Sequence, residues 1–322
     1  MRIVALEEHF MVPSLIENHF DLTTNPGFSP ARKARLADLD DGRIGEMDEH
    51  GVTFQVVSAS MPGADLLDGK DGIQLALDIN NALGAAIRRH PQRLGGFAHL
   101  PMREPQAAAD ELERAVGELG FSGAMINGPT QGRFLDDPRF DSVLERAAAL
   151  EVPIYIHPNV PPKAVYDVYY DGLPGPAGAL LASGAFGWHS ETAIHILRLV
   201  LTGVFERHPK LTVIVGHMGE MLPFMLGRAD DILIGHGGLQ RPISETIVER
   251  VYITTSGMFT TPPLQLALAT FGADRIMFSI DYPFSQTEQG RVFFDAMPVS
   301  PSDRAKIAHG NADRLLKLKG TV

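Results

Sequence analysis

Short apolar and β-branched runs recur along the chain at residues 3–9, 54–60, 94–101, 122–127, 153–158, 211–217, 251–257 and 276–283. Most run apolar without alternation, the pattern of strands covered on both faces of a parallel sheet. Between them the period lengthens to that of amphipathic helices. Residues 71–90 carry Ile73, Leu75, Leu77, Ile79 and Leu83 and end at His90-Pro91. Residues 105–119 stop at Gly120, a residue suited to a helix C-terminus, and 138–150 open on a proline tolerated in a first turn. Residues 191–207 end before His208-Pro209, 263–271 end at Gly272, and 301–318 form a last helix pair with a break at Gly310-Asn311. About eight strands, each followed by a helix, predict an α/β fold: a (β/α)8 barrel in one domain spanning 1–322.

The competing architecture is an open doubly wound sheet. The first strand-to-helix turn lacks G-x-G-x-x-G, and the chain contains no Walker A motif, so the nucleotide-binding versions of that fold are not expected. Two stretches exceed ordinary barrel connections. Residues 11–50 follow the first strand, and residues 159–187, rich in Pro, Gly, Ala and Tyr, follow the fifth. Each is expected over the C-terminal face of the barrel, where it either lines a pocket or forms a surface or subunit contact.

Polar residues fall at the strand ends. The first strand ends in Glu7-Glu8-His9, the fourth in Asn127, the fifth in His157, the sixth in His217 through Glu220, and the eighth in Asp281. A barrel gathers these ends on one face. Side chains at i and i+2 of a strand share a side, so Glu7 and His9 aim together while Glu8 points away. Buried ionisable groups are costly unless paired or bound to metal. Glu7, His9, His157 and Asp281 are therefore expected to converge on one divalent ion, Zn²⁺ or Mn²⁺. The chain has no cysteine, so any metal must be held by nitrogen and oxygen.

His217 and Glu220 form a candidate imidazole–carboxylate pair, with a structural hydrogen bond as the alternative. Arg228, roughly two helical turns on, is a candidate carboxylate clamp, acting from a subunit interface, or else a solvated helix-face residue. Asn127 is a candidate hydrogen-bonding group for substrate, and Phe284 a candidate ring-packing group. His189 either reaches the pocket or caps a helix. Of the 12 histidines, His19, His50, His90, His208, His236 and His309 read as structural, and His99 is ambiguous.

Composition narrows the partners. With 44% hydrophobic and 21% charged residues, the chain is that of a core-forming globular protein. A net charge of -11 opposes any bulk grip on nucleic acid or anionic lipid, yet leaves a small anionic substrate open. No run reads as a membrane span, and an N-terminus that turns acidic at Glu7-Glu8 does not read as a signal peptide, so a cytoplasmic protein is expected.

At these residues the sequence resembles the metal-dependent amidohydrolase superfamily. The resemblance is to its aminocarboxymuconate semialdehyde and γ-resorcylate decarboxylase branch. It is carried by VALEEHF at the start, YIHP at 155–158, GHMGEMLPFMLGRAD at 216–230, DRIMFSIDYPF at 274–284 and HGNADRLLKL at 309–318. It implies a barrel holding one divalent metal, with Glu7, His9, His157 and Asp281 as ligands. It also implies non-oxidative decarboxylation of a hydroxybenzoate-type acid, with Asp281 as proton donor to the ring, and a homodimer or homotetramer. Most superfamily members carry H-x-H on the first strand; here Glu7 stands first, which favours the decarboxylases over the hydrolases. The strand-four lysine of binuclear members is absent, which supports one metal. Two alternatives remain. One is a hydrolase of the same fold, a lactonase or amidohydrolase using metal-activated water; the other is a non-catalytic barrel.

Overall fold

The computed structural model describes residues 1–13, 15, 29–236 and 239–318. Much of the 11–30 stretch, with His19, lies outside the described residues. Nine strand segments occur among those described: β1 (Val4–Phe10), β2 (Phe54–Ala59), β3 (Leu94–Gly96), β4 (Ala98–His99), β5 (Ala124–Asn127), β6 (Ile154–His157), β7 (Val213–Val215), β8 (Val251–Thr254) and β9 (Ile276–Met277). All pair in parallel and in chain order, as β1-β2-β3 and as β4 through β9. The expected third strand, 94–101, is thus two segments. Phe97 N–H turns back to Val57 O (3.0 Å), whereas Ala98 N–H turns forward to Gly123 O (2.8 Å), so the chain changes partner between them.

The seam between the last and first strands is built differently. Regular pairing of β9 ends at Met277, although the apolar run continues to Pro283. Side chains then take over the ladder. Ser279 Oγ accepts from the Leu6 and Glu7 N–H groups (2.9 and 2.8 Å), and Glu8 Oε1 accepts from Ile280 N–H (2.9 Å). A parallel bridge between Glu8 and Tyr282, with His9 N–H on Tyr282 O at 2.7 Å, joins β1 to the chain after β9. The arrangement is the expected (β/α)8 barrel.

Its interior is a layer of Val4, Leu6, Val56, Phe97, Met125, Tyr155, Ile214, Tyr252 and Met277, with Ala312 and Leu316 of the C-terminal segment packed against it. The expected break at Gly310-Asn311 does not occur. Both residues keep helical angles through a wide turn over Lys306–Gly310, and the Asn311 side chain donates to Ala273 O and Ile276 O (2.7 Å each). Those bonds offset the poor helix propensity of the Gly-Asn pair. The second excursion contains helices Lys163–Tyr169 and Ala177–Leu180 and leads into the long helix Gly187–Leu201. Among the described residues, no helix is long and apolar enough to cross a membrane.

Candidate metal centre and active site

β1 is fully buried, and one extra residue between Ala5 and Glu8 shifts its register against β2. Such a bulge re-aims the following side chains. Glu7 and His9 turn inward, and Glu8 turns to the Ile280 N–H and the Arg43 charge outside the ring. His157 ends β6, side by side in register with Asn127 of β5. Asp281 sits at φ 73°, a conformation costly for a non-glycine residue and seen mostly where function requires it.

One ligand atom from each of Glu7, His9, His157 and Asp281 lies within 4.8 Å of the others. His9 Nε2 is 3.3 Å from Asp281 Oδ1, and His157 Nε2 is 3.5 Å from Glu7 Oε1. The atoms on the far sides of these groups are engaged. Glu7 Oε2 accepts from the hydroxyls of Tyr155 and Ser256, and from Thr254 at 3.3 Å. His157 Nδ1 bonds Pro158 O at 2.8 Å, and His9 Nδ1 faces Ser58 Oγ at 3.4 Å. What remains is Glu7 Oε1 and His9 Nε2, both buried without a hydrogen-bond partner. Orphaned lone pairs aimed at one point, with the opposite atoms fixed, are what a divalent cation with nitrogen and oxygen ligands requires. Gly216 completes the cradle, since a Cβ there would fall 2.4 Å from Glu7 Oε2.

Electrostatics agree. Burial alone would raise the Glu7 pKa, but the imidazoles of His217, His157 and His9 hold it below the carboxylate norm. Burial pushes His157 down to about 3, so its ring is neutral and its Nε2 lone pair is available. Burial also raises the Asp281 carboxyl, against the pull of His9 and His217.

A second cluster abuts the first. His217 Nδ1 lies 3.0 Å from Glu220 Oε1, and His217 Nε2 lies 4.0 Å from Asp281 Oδ2. Burial disfavours a charged His217, but Glu220 and Glu7 outweigh it and lift its pKa to about 10. Burial likewise opposes ionisation of Glu220, and the His217 and His189 imidazoles bring it down to about 2. His217, Met218 and Glu220 all have positive φ (49°, 56° and 58°), so the turn is held strained around the pair.

The other expected residues distribute unevenly. His189 does not cap its helix: its ring lies behind His217, with Nδ1 on Glu220 Oε2 (2.5 Å) and Nε2 on Gly184 O (3.0 Å). Asn127 is buried with both amide atoms unpartnered. Phe284 packs edge-on against His9 at 5.6 Å. Arg228 is exposed on the helix Leu222–Leu233, outside the buried cluster.

Several contributors escaped the sequence reading. Tyr155 stands two residues before His157 and shares its face, and Thr254, which ends β8, shares a side with Ser256 just beyond it; that period-two pattern was the available signal. Trp188, its indole N–H buried and unpartnered, lies 6.3 Å from His157 between ring centres. Arg32 packs over Phe284 at 5.5 Å and donates to Pro283 O at 3.3 Å. Their placement depends on the two excursions, which carry no periodic signal.

Residues 9–318 match the model of a family described as amidohydrolase. The protein belongs to the amidohydrolase family. This amidohydrolase is 37% identical to a γ-resorcylate decarboxylase of Rhizobium radiobacter, over 98% of each chain. It is also 37% identical to the decarboxylase orsB of Emericella nidulans, over 98% of this chain and 97% of that one. A dihydroxybenzoic acid decarboxylase from Polaromonas, solved with manganese and the inhibitor 2-nitroresorcinol, superposes with a TM-score of 0.91 at 35% identity, covering 99% of this chain and 98% of that one.

Proposed function

We propose that this amidohydrolase is a carboxy-lyase that removes CO₂ from a hydroxybenzoate-type acid without oxidation. One observation carries the reading: buried Glu7, His9 and His157 and half-buried Asp281 converge on one point, two of them with orphaned atoms, and burial raises the pKa of the Asp281 carboxyl. Glu7, His9, His157 and Asp281 would hold one divalent ion, zinc or manganese. When bound, that ion supplies Lewis-acid charge that offsets the anionic substrate.

The chain's own residues do the rest. Asp281 delivers its proton to the ring carbon that bears the carboxylate. The bond from that carbon to the carboxylate then breaks, CO₂ leaves, and the electron pair restores the aromatic ring. The proton that Asp281 gave is later regained from water. Dianionic substrate opposes the cation's pull on the Asp281 proton. His217, oriented by Glu220 and kept cationic by it, positions the ortho-oxygen of the substrate by donating a hydrogen bond to it. Asn127 offers an unpaired donor and acceptor to a ring substituent, and Phe284 offers an edge to the ring. Arg228 lies outside this cluster and would clamp a carboxylate only from a neighbouring subunit. The exposed apolar side chains of Phe224 on its helix, and of Val168 and Tyr169 on the excursion, suit a homodimer or homotetramer.

The test is CO₂ release from salicylate-like and dihydroxybenzoic acids, with lactones and amides assayed in parallel. Release of CO₂ with formation of the phenol is expected. Hydrolysis of a lactone or amide without CO₂ release would replace this reading with a hydrolase.

A further inference from the structure

The catalytic pair has a third member that neither the reaction nor the metal site accounts for. His189 comes from the start of the helix Gly187–Leu201, and its ring is buried. Gly184 O can only accept, so His189 Nε2 carries a hydrogen and donates to it at 3.0 Å. Nδ1 stands 2.5 Å from Glu220 Oε2, close enough that a proton must lie between them. Glu220 is therefore gripped at both oxygens, by His217 from its own strained turn and by His189 from a different element. The two imidazoles also meet edge to face, with ring centres 4.9 Å apart.

We propose that His189 is a positioning residue: it fixes the second oxygen of Glu220, so the first stays on His217 and keeps that ring aimed at Asp281. A carboxylate bonded through one oxygen is free to rotate, whereas one bonded through both is not. The assignment also gives the 159–187 excursion a purpose. Gly184 belongs to it, and Gly187 packs so tightly that a Cβ would fall 2.3 Å from Ala182 O. The excursion thus anchors the acid–base chain from behind.

The inference rests on the role given to His217 and Glu220 in the decarboxylase reading. Its test uses the metal-loaded protein and the variants His189→Leu, His189→Asn, Glu220→Gln and the double variant His189→Leu/Glu220→Gln. His189→Leu should lower kcat about 10- to 100-fold with KM and bound metal little changed. His189→Asn, which keeps an N–H near the Nδ1 position, should recover most of the rate. In the Glu220→Gln background, His189→Leu should add no further loss. Equal losses in the Leu and Asn variants, a fully additive double variant, or no loss at all would overturn the proposal.

A second measurement does not depend on turnover. In ¹H spectra of the zinc-loaded protein, His189→Leu should remove one downfield imidazole N–H signal and shift that of His217. An unmoved His217 signal would overturn the proposal. Wild-type protein that releases no CO₂ from any hydroxybenzoate would sink the decarboxylase reading, while the spectra would still decide the role of His189.

Discussion

Glu7 and Glu8 are consecutive, chemically identical and completely buried, yet they meet opposite fates on the two sides of one strand. Glu7 faces three imidazoles and is held ionised, with one oxygen fastened by hydroxyls and the other without a partner. Glu8 faces outward, and burial lifts its pKa from 4.5 to about 8 despite the Ile280 N–H and the charge of Arg43. Arg43, itself buried, spends its donors on His9 O (2.6 Å), Gln55 Oε1 and Asp38 O. Burial alone therefore favours the neutral acid, and burial among imidazoles favours the carboxylate. The inward side of β1 is built for chemistry, and the outward side fastens the barrel seam.

Substitutions should separate those two sides. The largest effect is expected on the inside: Glu7→Gln should abolish stoichiometric metal binding. Asp281→Asn should lower kcat about 100- to 10,000-fold, as loss of a proton donor does, with circular dichroism unchanged. Asp281→Asn protein with near-wild-type turnover at full metal loading would remove the donor role. Next, Gly216→Ala should push a methyl group against the Glu7 carboxylate and weaken metal affinity about 10- to 100-fold. Metal titration by calorimetry reads it, and an unchanged affinity would show that the Glu7 position is not confined.

The smallest effect on turnover is expected outside. Glu8→Gln should leave kcat within a few-fold of wild type, because a largely protonated Glu8 is already close to a neutral amide. Its signature lies in stability. A folded-state pKa raised to about 8 means that the native protein keeps a proton the unfolded chain has lost. The stability Glu8 contributes is complete below pH 4.5 and is lost as pH rises through 8, at up to about 1.4 kcal/mol per pH unit. Denaturant melts across that window should show a flatter loss for Glu8→Gln than for wild type. Parallel curves would mean that Glu8 is ionised in the fold.

The same contrast explains what could be read from the sequence. Polar residues ending apolar runs marked Glu7, His9, His157, His217 and Asp281, because a barrel brings such ends together whatever its loops do. The split of strand three at Phe97 was not legible, since it depends on which neighbour's carbonyl each N–H finds. The early end of β9 was hidden for a related reason. Ser279 and Glu8 replace backbone partners there, and an apolar run gives no hint of that exchange. The Tyr155, Thr254 and Ser256 hydroxyls act through Glu7, so their importance appears only once Glu7 is placed. His189 was legible as a residue near the pocket but not as a partner of Glu220, because its position depends on an excursion without periodicity.

The inner face of β1, with His157 and Asp281, should hold one divalent ion on which decarboxylation depends. Metal content and CO₂ release should be measured together on the protein as purified, after chelation, and after return of Zn²⁺ or Mn²⁺. One ion per chain is expected, with CO₂ release from an ortho-hydroxybenzoate lost when the ion is removed and recovered on its return. Undiminished CO₂ release from protein stripped of metal would show that decarboxylation does not depend on the ion.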